Sequence, residues 1–170
     1  MSEPTDRAQD DRVSIAAPTP PPTGEVRLRG VIEVDLPVFF DHQRDPEANR
    51  MAGFPPRDRA AFMAHWHTIM RDAAVVVRTV LLDGQVAGNV VAFDFDRRRE
   101  IGYWIGRPFW GRGVATRALR ALLEEVNERP LYAGVAEHNV ASIRVLEKCG
   151  FTISETPTGD EDGHVLMRLG

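Results

Sequence analysis

Eleven residues, GRPFWGRGVAT from Gly106 to Thr116, hold three glycines and two arginines immediately before a helical pattern. That composition suits anion chemistry. The first N–H groups of a helix have no intrahelical partners, and the helix dipole adds partial positive charge there. Glycines let a phosphate approach the backbone closely. Read from Gly106, the spacing is also one step from a nucleoside-triphosphate loop: glycine, four residues, glycine. Such a loop then needs a lysine on the terminal phosphates and a hydroxyl on magnesium. Arg112 partly replaces the first and Gly113 cannot replace the second. These residues taken alone leave two readings open, another phosphate carrier or a plain tight turn.

The elements that must position this loop follow from periodicity. Residues 1–26 are acidic, hold five prolines and lack any period, so a disordered or loosely attached tail is expected there. The folded domain is expected over 27–170. VRLRGVIE alternates as a strand. Asp35 is expected to cap a short helix through Phe40, with Pro37 in its first turn. A second helix should start after Pro55-Pro56 and carry the stripe Phe62, Trp66, Ile69 and Met70. Two strand runs meet at Asp83-Gly84, a strong hairpin signal. REIGYWIG should follow antiparallel, which also speaks against a triphosphate loop, whose strand is normally parallel. VATRALRALLEEVNERP is amphipathic through Ala115, Ala118, Leu119, Leu122 and Val126, and LYAGVA reads as another strand. Asn139 can cap a short helix that Gly150 ends. FTISE and HVLMRL close the chain as a hairpin.

Composition narrows the function classes. The 170 residues suffice for one domain with a sizeable core, at 43% hydrophobic and 27% charged residues. Net charge is −4 and much of it sits in the first 26 residues, so no basic surface argues for nucleic acid. No apolar run approaches a membrane span and no signal peptide is visible, so a cytoplasmic chain is expected. The single cysteine, Cys149, excludes an internal disulfide and any multi-cysteine metal site, and a buried structural role is expected for it. No metal is expected. His65 and His67 would stand about 200° apart on a helix, which cannot chelate one ion.

A second block, NVASIRVLEKCGF from Asn139 to Phe151, lies about 25 residues after the first. With EIGYWIGRPFWGRGVATRAL it resembles the GNAT superfamily of acyl-CoA-dependent N-acyltransferases, within it the RimJ/RimL-like subgroup. The resemblance runs from about Arg27 to the C-terminus. It implies an α/β (α+β) fold with a mixed, mostly antiparallel sheet of about seven strands, a V-shaped splay and about four helices. It implies acetyl-CoA as cosubstrate, its pyrophosphate held by backbone N–H groups around Gly111, Arg112, Gly113, Val114, Ala115 and Thr116. The family pattern there departs at Trp110, a form that the subgroup shares. Pantetheine would pair with backbone at Trp104, Ile105 and Gly106, where an N–H would also face the thioester oxygen. Arg107, Arg112 and Arg117 are candidates for the ribose phosphate.

The same resemblance supplies roles for side chains. Glu100 shares a strand face with Trp104 and matches a glutamate that deprotonates the amine in some family members. Many members use a tyrosine acid in the second block, but Leu146 stands there. Ser142 is the implied proton donor or relay, and Asn139 the residue that meets the pantetheine arm or holds the splay open. Tyr103 points with Ile101 to the opposite face and is expected in the core. Asp94 and Asp96 share a face and are expected to be solvated. Phe54, Trp66 and the loop 50–56 fall where the family builds its acceptor cleft. The implied activity is direct acetyl transfer to a primary amine, either a small molecule or a protein N-terminus. No nucleic acid or membrane partner is expected, and a homodimer is left open. The missing tyrosine motivates an alternative, a non-catalytic acyl-CoA-binding sensor or interaction module.

Overall fold

A computed structural model of the chain describes residues 24–155 and 163–170. The expected tail lies outside the described residues up to residue 23, and regular structure is in place by Val26. Twelve elements follow: strand β1 (Val26–Gly30), helices α1 (Leu36–Gln43), α2 (Pro46–Ala52) and α3 (Arg59–Arg71), strands β2 (Val76–Leu82), β3 (Gln85–Phe95) and β4 (Arg98–Ile105), helix α4 (Val114–Glu125), strand β5 (Leu131–Ala136), helix α5 (Val140–Lys148), and strands β6 (Thr152–Glu155) and β7 (His164–Leu169).

The strands form one seven-stranded sheet in the order β1-β2-β3-β4-β5-β7-β6. Two tight hairpins build its first half. Asp83 and Gly84 both take positive φ, 50° and 81°, and so do Asp96 and Arg97, 45° and 63°. Two positive-φ residues in a row make the turn that matches strand twist. Only β4 and β5 run parallel, because helix α4 carries the chain back across the sheet between them. Their pairing stops almost at once: Arg99 faces Leu131 and Glu100 faces Tyr132. Beyond that point β4 continues to Ile105 and β5 to Ala136 with no ladder between them. The expected splay is this gap.

Strand alternation divides the core in two. Ile101 and Ile105 point to the face that α4 and α5 cover, packing with Ala118, Leu119, Leu122 and Leu146. The other face of the first half meets Leu36, Phe39 and Phe40 of α1 and Phe62 and Trp66 of α3. Phe39 and Trp66 meet with ring centroids 4.8 Å apart and planes tilted by 41°. Burying each such side chain contributes about 1.5–3 kcal/mol.

Three expectations change here. Five α-helices occur among the described residues rather than about four, the addition being α2. Asp45 caps it by accepting from the N–H groups of Glu47 and Ala48, Pro46 holds its first turn, and Gly53 ends it at φ 73°. Trp66 is 3% exposed and belongs to the core, so it is no substrate contact. Asp35 stands at the start of α1 without capping it. Its carboxylate takes Arg29 in a two-pronged pair at 2.6 and 2.7 Å, the Thr79 hydroxyl at 2.7 Å and the Ile32 N–H at 3.0 Å. A carboxylate 1% exposed requires such a set, and a cap alone would leave its charge uncompensated.

Candidate active site

The direction of the backbone groups lining the gap follows from β3. Gly106 donates its N–H to the Ala87 carbonyl at 2.8 Å. Hydrogen bonding alternates along an antiparallel pair, so Glu100, Gly102 and Trp104 also turn their backbone groups to β3. Tyr103 and Ile105 turn theirs to the gap. Sequence reading pointed to Trp104, Ile105 and Gly106 together, and of these three only Ile105 has this orientation. Its carbonyl is already occupied by the Trp110 indole N–H at 2.7 Å. The N–H groups of Tyr103 and Ile105 and the Tyr103 carbonyl remain directed at the opening.

Gly106 is required for space rather than for conformation. Its φ of −60° and ψ of 140° suit any residue, but a Cβ would sit 2.5 Å from His42 Nε2. His42, near the end of α1, lies flat against this glycine with Phe109 at its edge. Burial holds its imidazole below the ordinary histidine value, against a smaller opposing influence of Asp41. Gly106→Ala is therefore expected to cost about 1–3 kcal/mol, by pushing α1 off β4. His42→Ala in the same chain should recover most of the melting temperature lost. A loss that stays the same in the double variant would place the fault elsewhere.

The glycine-rich loop leaves β4 as a 3-10 turn, Arg107–Phe109, and then reverses. Gly111 and Gly113 adopt φ of 70° and 68°, which only glycine takes without strain. Gly113 stands at the start of α4 and no side chain caps that helix. The open N–H groups of its first turn, Val114, Ala115 and Thr116, are thus presented at the end of the gap. The arginines differ in role. Arg117 holds the carbonyls of Gly24, Arg112 and Gly113, so it braces the loop. Arg107 pairs with Asp45 at 3.5 Å, and Arg112 is exposed.

Across the gap stands α5. Asn139 caps it, accepting from the Ser142 N–H at 3.1 Å. The Asn139 N–H goes to Ala136, so no reciprocal cap ties up the Ser142 hydroxyl. One cleft of about 470 Å³ joins the gap, the loop and this helix. Trp104, Ile105, Gly111, Gly113, Val114, Ala115, Thr116, Asn139 and Ser142 line it. Gly106 and Arg112 do not. Neither does Glu100, which lies on the α1–α3 face beside Phe93 and Tyr132, where β4 and β5 part.

Glu100 is half-buried in a strand paired on both sides, and not a solvated edge residue. Burial pushes its carboxyl above the ordinary glutamate value; Arg98 opposes this and Asp96 adds to it. That is the direction a base working near neutrality needs. Asp94 pairs with Arg99 at 3.3 Å and is not left free for an amine. Cys149 is half-buried, its thiol raised by burial and directed at the Thr116 carbonyl, as a structural cysteine would be.

Further residues line the cleft beyond the expected cofactor set. Ala48, Met51 and Ala52 come from α2, which Asp45-Pro46 and Gly53 mark at its ends; Met51 and Ala52 fall in the stretch 50–56 that the resemblance assigns to the acceptor cleft, and Ala48 lies outside it. Lys148, the only lysine in the chain, lies at the end of α5. Tyr103 was expected in the core. It does pack against it, yet its ring also lines the cleft and its hydroxyl donates to the Ser142 carbonyl at 3.3 Å.

A sheet half opened between two parallel strands, with an uncapped helix at the mouth, places the chain among proteins of the acetyltransferase fold. The aminoglycoside acetyltransferase AAC(6')-Ib in complex with coenzyme A superimposes with a TM-score of 0.71, at 21% identity over 85% of this chain and 94% of that one. RimJ of Mycobacterium smegmatis in complex with CoA-disulfide gives a TM-score of 0.70 at 22% identity, covering 87% and 83%. Residues 25–152 match the acetyltransferase (GNAT) domain, and the chain belongs to that family. It is 31% identical over 100 residues to the putative ribosomal N-acetyltransferase YdaF of Bacillus subtilis, a match spanning 55% of each protein. The chain therefore spans about half the length of that relative. Among the described residues no helix is long and apolar enough to cross a membrane.

Proposed function

We propose that the chain is an acetyl-CoA-dependent N-acetyltransferase of the RimJ/RimL-like branch, transferring acetyl directly to a primary amine. The observation that carries this is the continuity of one cleft from the open β4 edge to the uncapped start of α4. Such a cleft suits a ligand with an amide-bearing arm at one end and phosphates at the other. The arm pairs with the backbone of Tyr103 and Ile105, and the phosphates meet the N–H groups of Gly113 to Thr116. The Ile105 or Tyr103 N–H faces the thioester oxygen and stabilises the charge that develops there. Glu100, on the face opposite α4, receives the proton of the incoming amine. Cys149, half-buried with a raised pKa, is a poor nucleophile, which agrees with direct transfer.

The acceptor is a primary amine on a small molecule or a protein N-terminus. Support comes from similar proteins, an aminoglycoside acetyltransferase in one case and a putative ribosomal N-acetyltransferase in another. Thiol release from acetyl-CoA, measured against aminoglycosides, polyamines and peptides with free N-termini, should reveal turnover above hydrolysis with at least one class. Tight acetyl-CoA binding without release in any case would overturn catalysis and leave a sensor. No binding at all would overturn the reading of the cleft.

A further inference from the structure

Every acetyl transfer from a thioester leaves a thiolate that must be protonated, and α5 carries no obvious acid. Leu146 is 2% exposed in the core. The other proton-bearing groups along the cleft can be taken in turn. The Thr116 hydroxyl belongs to the first turn of α4, at the phosphate end. Lys148 lies six residues beyond Ser142, about 9 Å farther along α5. The Trp104 indole donates to the His42 carbonyl at 3.3 Å, and the Trp110 indole to the Ile105 carbonyl. Two hydroxyls remain at the foot of the gap, those of Ser142 and Tyr103.

We infer that Tyr103 is the proton donor to the leaving thiolate, a role that rests on the acetyltransferase reading above. Its backbone forms the β4 wall of the gap, and its side chain crosses to the first turn of α5, where the hydroxyl meets the Ser142 carbonyl. The phenol thus bridges the two walls of the gap, within the stretch of β4 where the proposed backbone pairing would hold the thioester. A phenol is a much stronger acid than the alcohol of a serine. Burial pushes Tyr103 up to about 12, so the phenol is protonated throughout the working range, although the same burial makes it a weaker acid than an exposed phenol. The 3.3 Å contact to a carbonyl orients the O–H without holding it tightly.

The amine nitrogen bonds to the thioester carbon, and the tetrahedral intermediate collapses by breaking the C–S bond. The electron pair goes to sulfur, which takes the Tyr103 proton to become the free thiol. Glu100 takes the amine's proton and releases it to solvent, and the phenolate takes one proton back from solvent, so that both groups are reset and the net products are the amide and the thiol.

The test uses the full chain and the amine found to turn over. Tyr103→Phe should lower kcat about a hundredfold, the lower end for acid catalysis, while CoA titrated by calorimetry binds as before. The chain has two tyrosines. With Tyr132→Phe as the reference background, fluorotyrosine placed at 103 should give kcat an alkaline limb that coincides with the phenolate absorbance. Unchanged kcat in Tyr103→Phe, or a fluorotyrosine enzyme without that limb, would overturn the assignment. If the wild-type chain turns over no amine, the activity falls first; if it does and Tyr103→Phe matches it, the tyrosine alone falls.

Discussion

Glu100→Gln is expected to reduce kcat/KM for amine acetylation by at least about a hundredfold near pH 7, the range of general base catalysis. CoA binding should be unaffected, because Glu100 lies on the face of β4 away from α4 and outside the cleft lining. The pH dependence carries the diagnosis. A carboxyl raised by burial takes up the amine's proton only once ionised, so the wild-type rate climbs as pH rises through that raised value. The glutamine variant lacks this limb and recovers only as the acceptor amine becomes neutral by itself. The two profiles should differ most between those points and converge at high pH. Parallel profiles would remove Glu100 from proton transfer.

Stability should move the other way. A carboxyl whose folded pKa is raised binds its proton more tightly when folded, so its ionisation weakens the fold as pH rises through that value. Glu100→Gln, neutral and close in shape, should therefore melt no lower than wild type at pH 8. A drop in melting temperature together with lost activity would point instead to a structural glutamate.

The largest loss of stability is expected at Asp35. Asp35→Ala leaves Arg29 facing a buried vacancy and strips the Thr79 hydroxyl and Ile32 N–H of their acceptor. Breaking one side of a buried pair costs about 3–5 kcal/mol, a large share of the roughly 5–15 kcal/mol that holds a domain together. For a chain of this size that is a fall in melting temperature of roughly 6–20 °C. Asp35→Asn keeps the shape without the charge and should fall between.

The acid response of the pair has a definite sign. Burial alone would raise the Asp35 carboxyl; the bonds from Arg29, Thr79 and the Ile32 N–H outweigh it and hold the group below the ordinary aspartate value. Stability from a depressed carboxyl is present above its unfolded pKa of about 3.9 and is lost as pH falls through the folded value. Wild type should lose stability over that window, and Asp35→Asn should not show this part of the acid dependence.

The fold was legible where its causes lie close together in the chain. The first hairpin is written in two turn residues, Asp83-Gly84, and α4 in the spacing of Ala118, Leu119 and Leu122. Asp96, expected on a strand face with Asp94, instead takes positive φ with Arg97 in the second turn. Helix α2 was overlooked although Asp45-Pro46 and Gly53 mark both its ends. Seven residues offer too few turns for an apolar stripe to stand out. Asp35 was misread for a different reason. An aspartate before a helix suits a cap locally, and only the approach of Arg29 from β1 and Thr79 from β2 gives its carboxylate stronger partners.

The candidate site divides along the same line. GRPFWGRGVAT and NVASIRVLEKCGF are contiguous, and each sets its own local geometry: positive-φ glycines before an uncapped helix, and an asparagine that caps the next one. The sequence by itself was enough to determine a glycine-rich turn leading into α4 and the family whose members carry both blocks. Tertiary structure alone decided where β4 and β5 part, because the loss of pairing is a relation between strands separated by all of α4. It also decided that Tyr103 and Ile105 turn their amides to the gap, since that parity is set by the register with β3. The Tyr103 hydroxyl entered the cleft only once α5 was brought against β4. Periods of two and 3.6 residues say which face a side chain takes, but the groups that meet across a gap depend on long-range register.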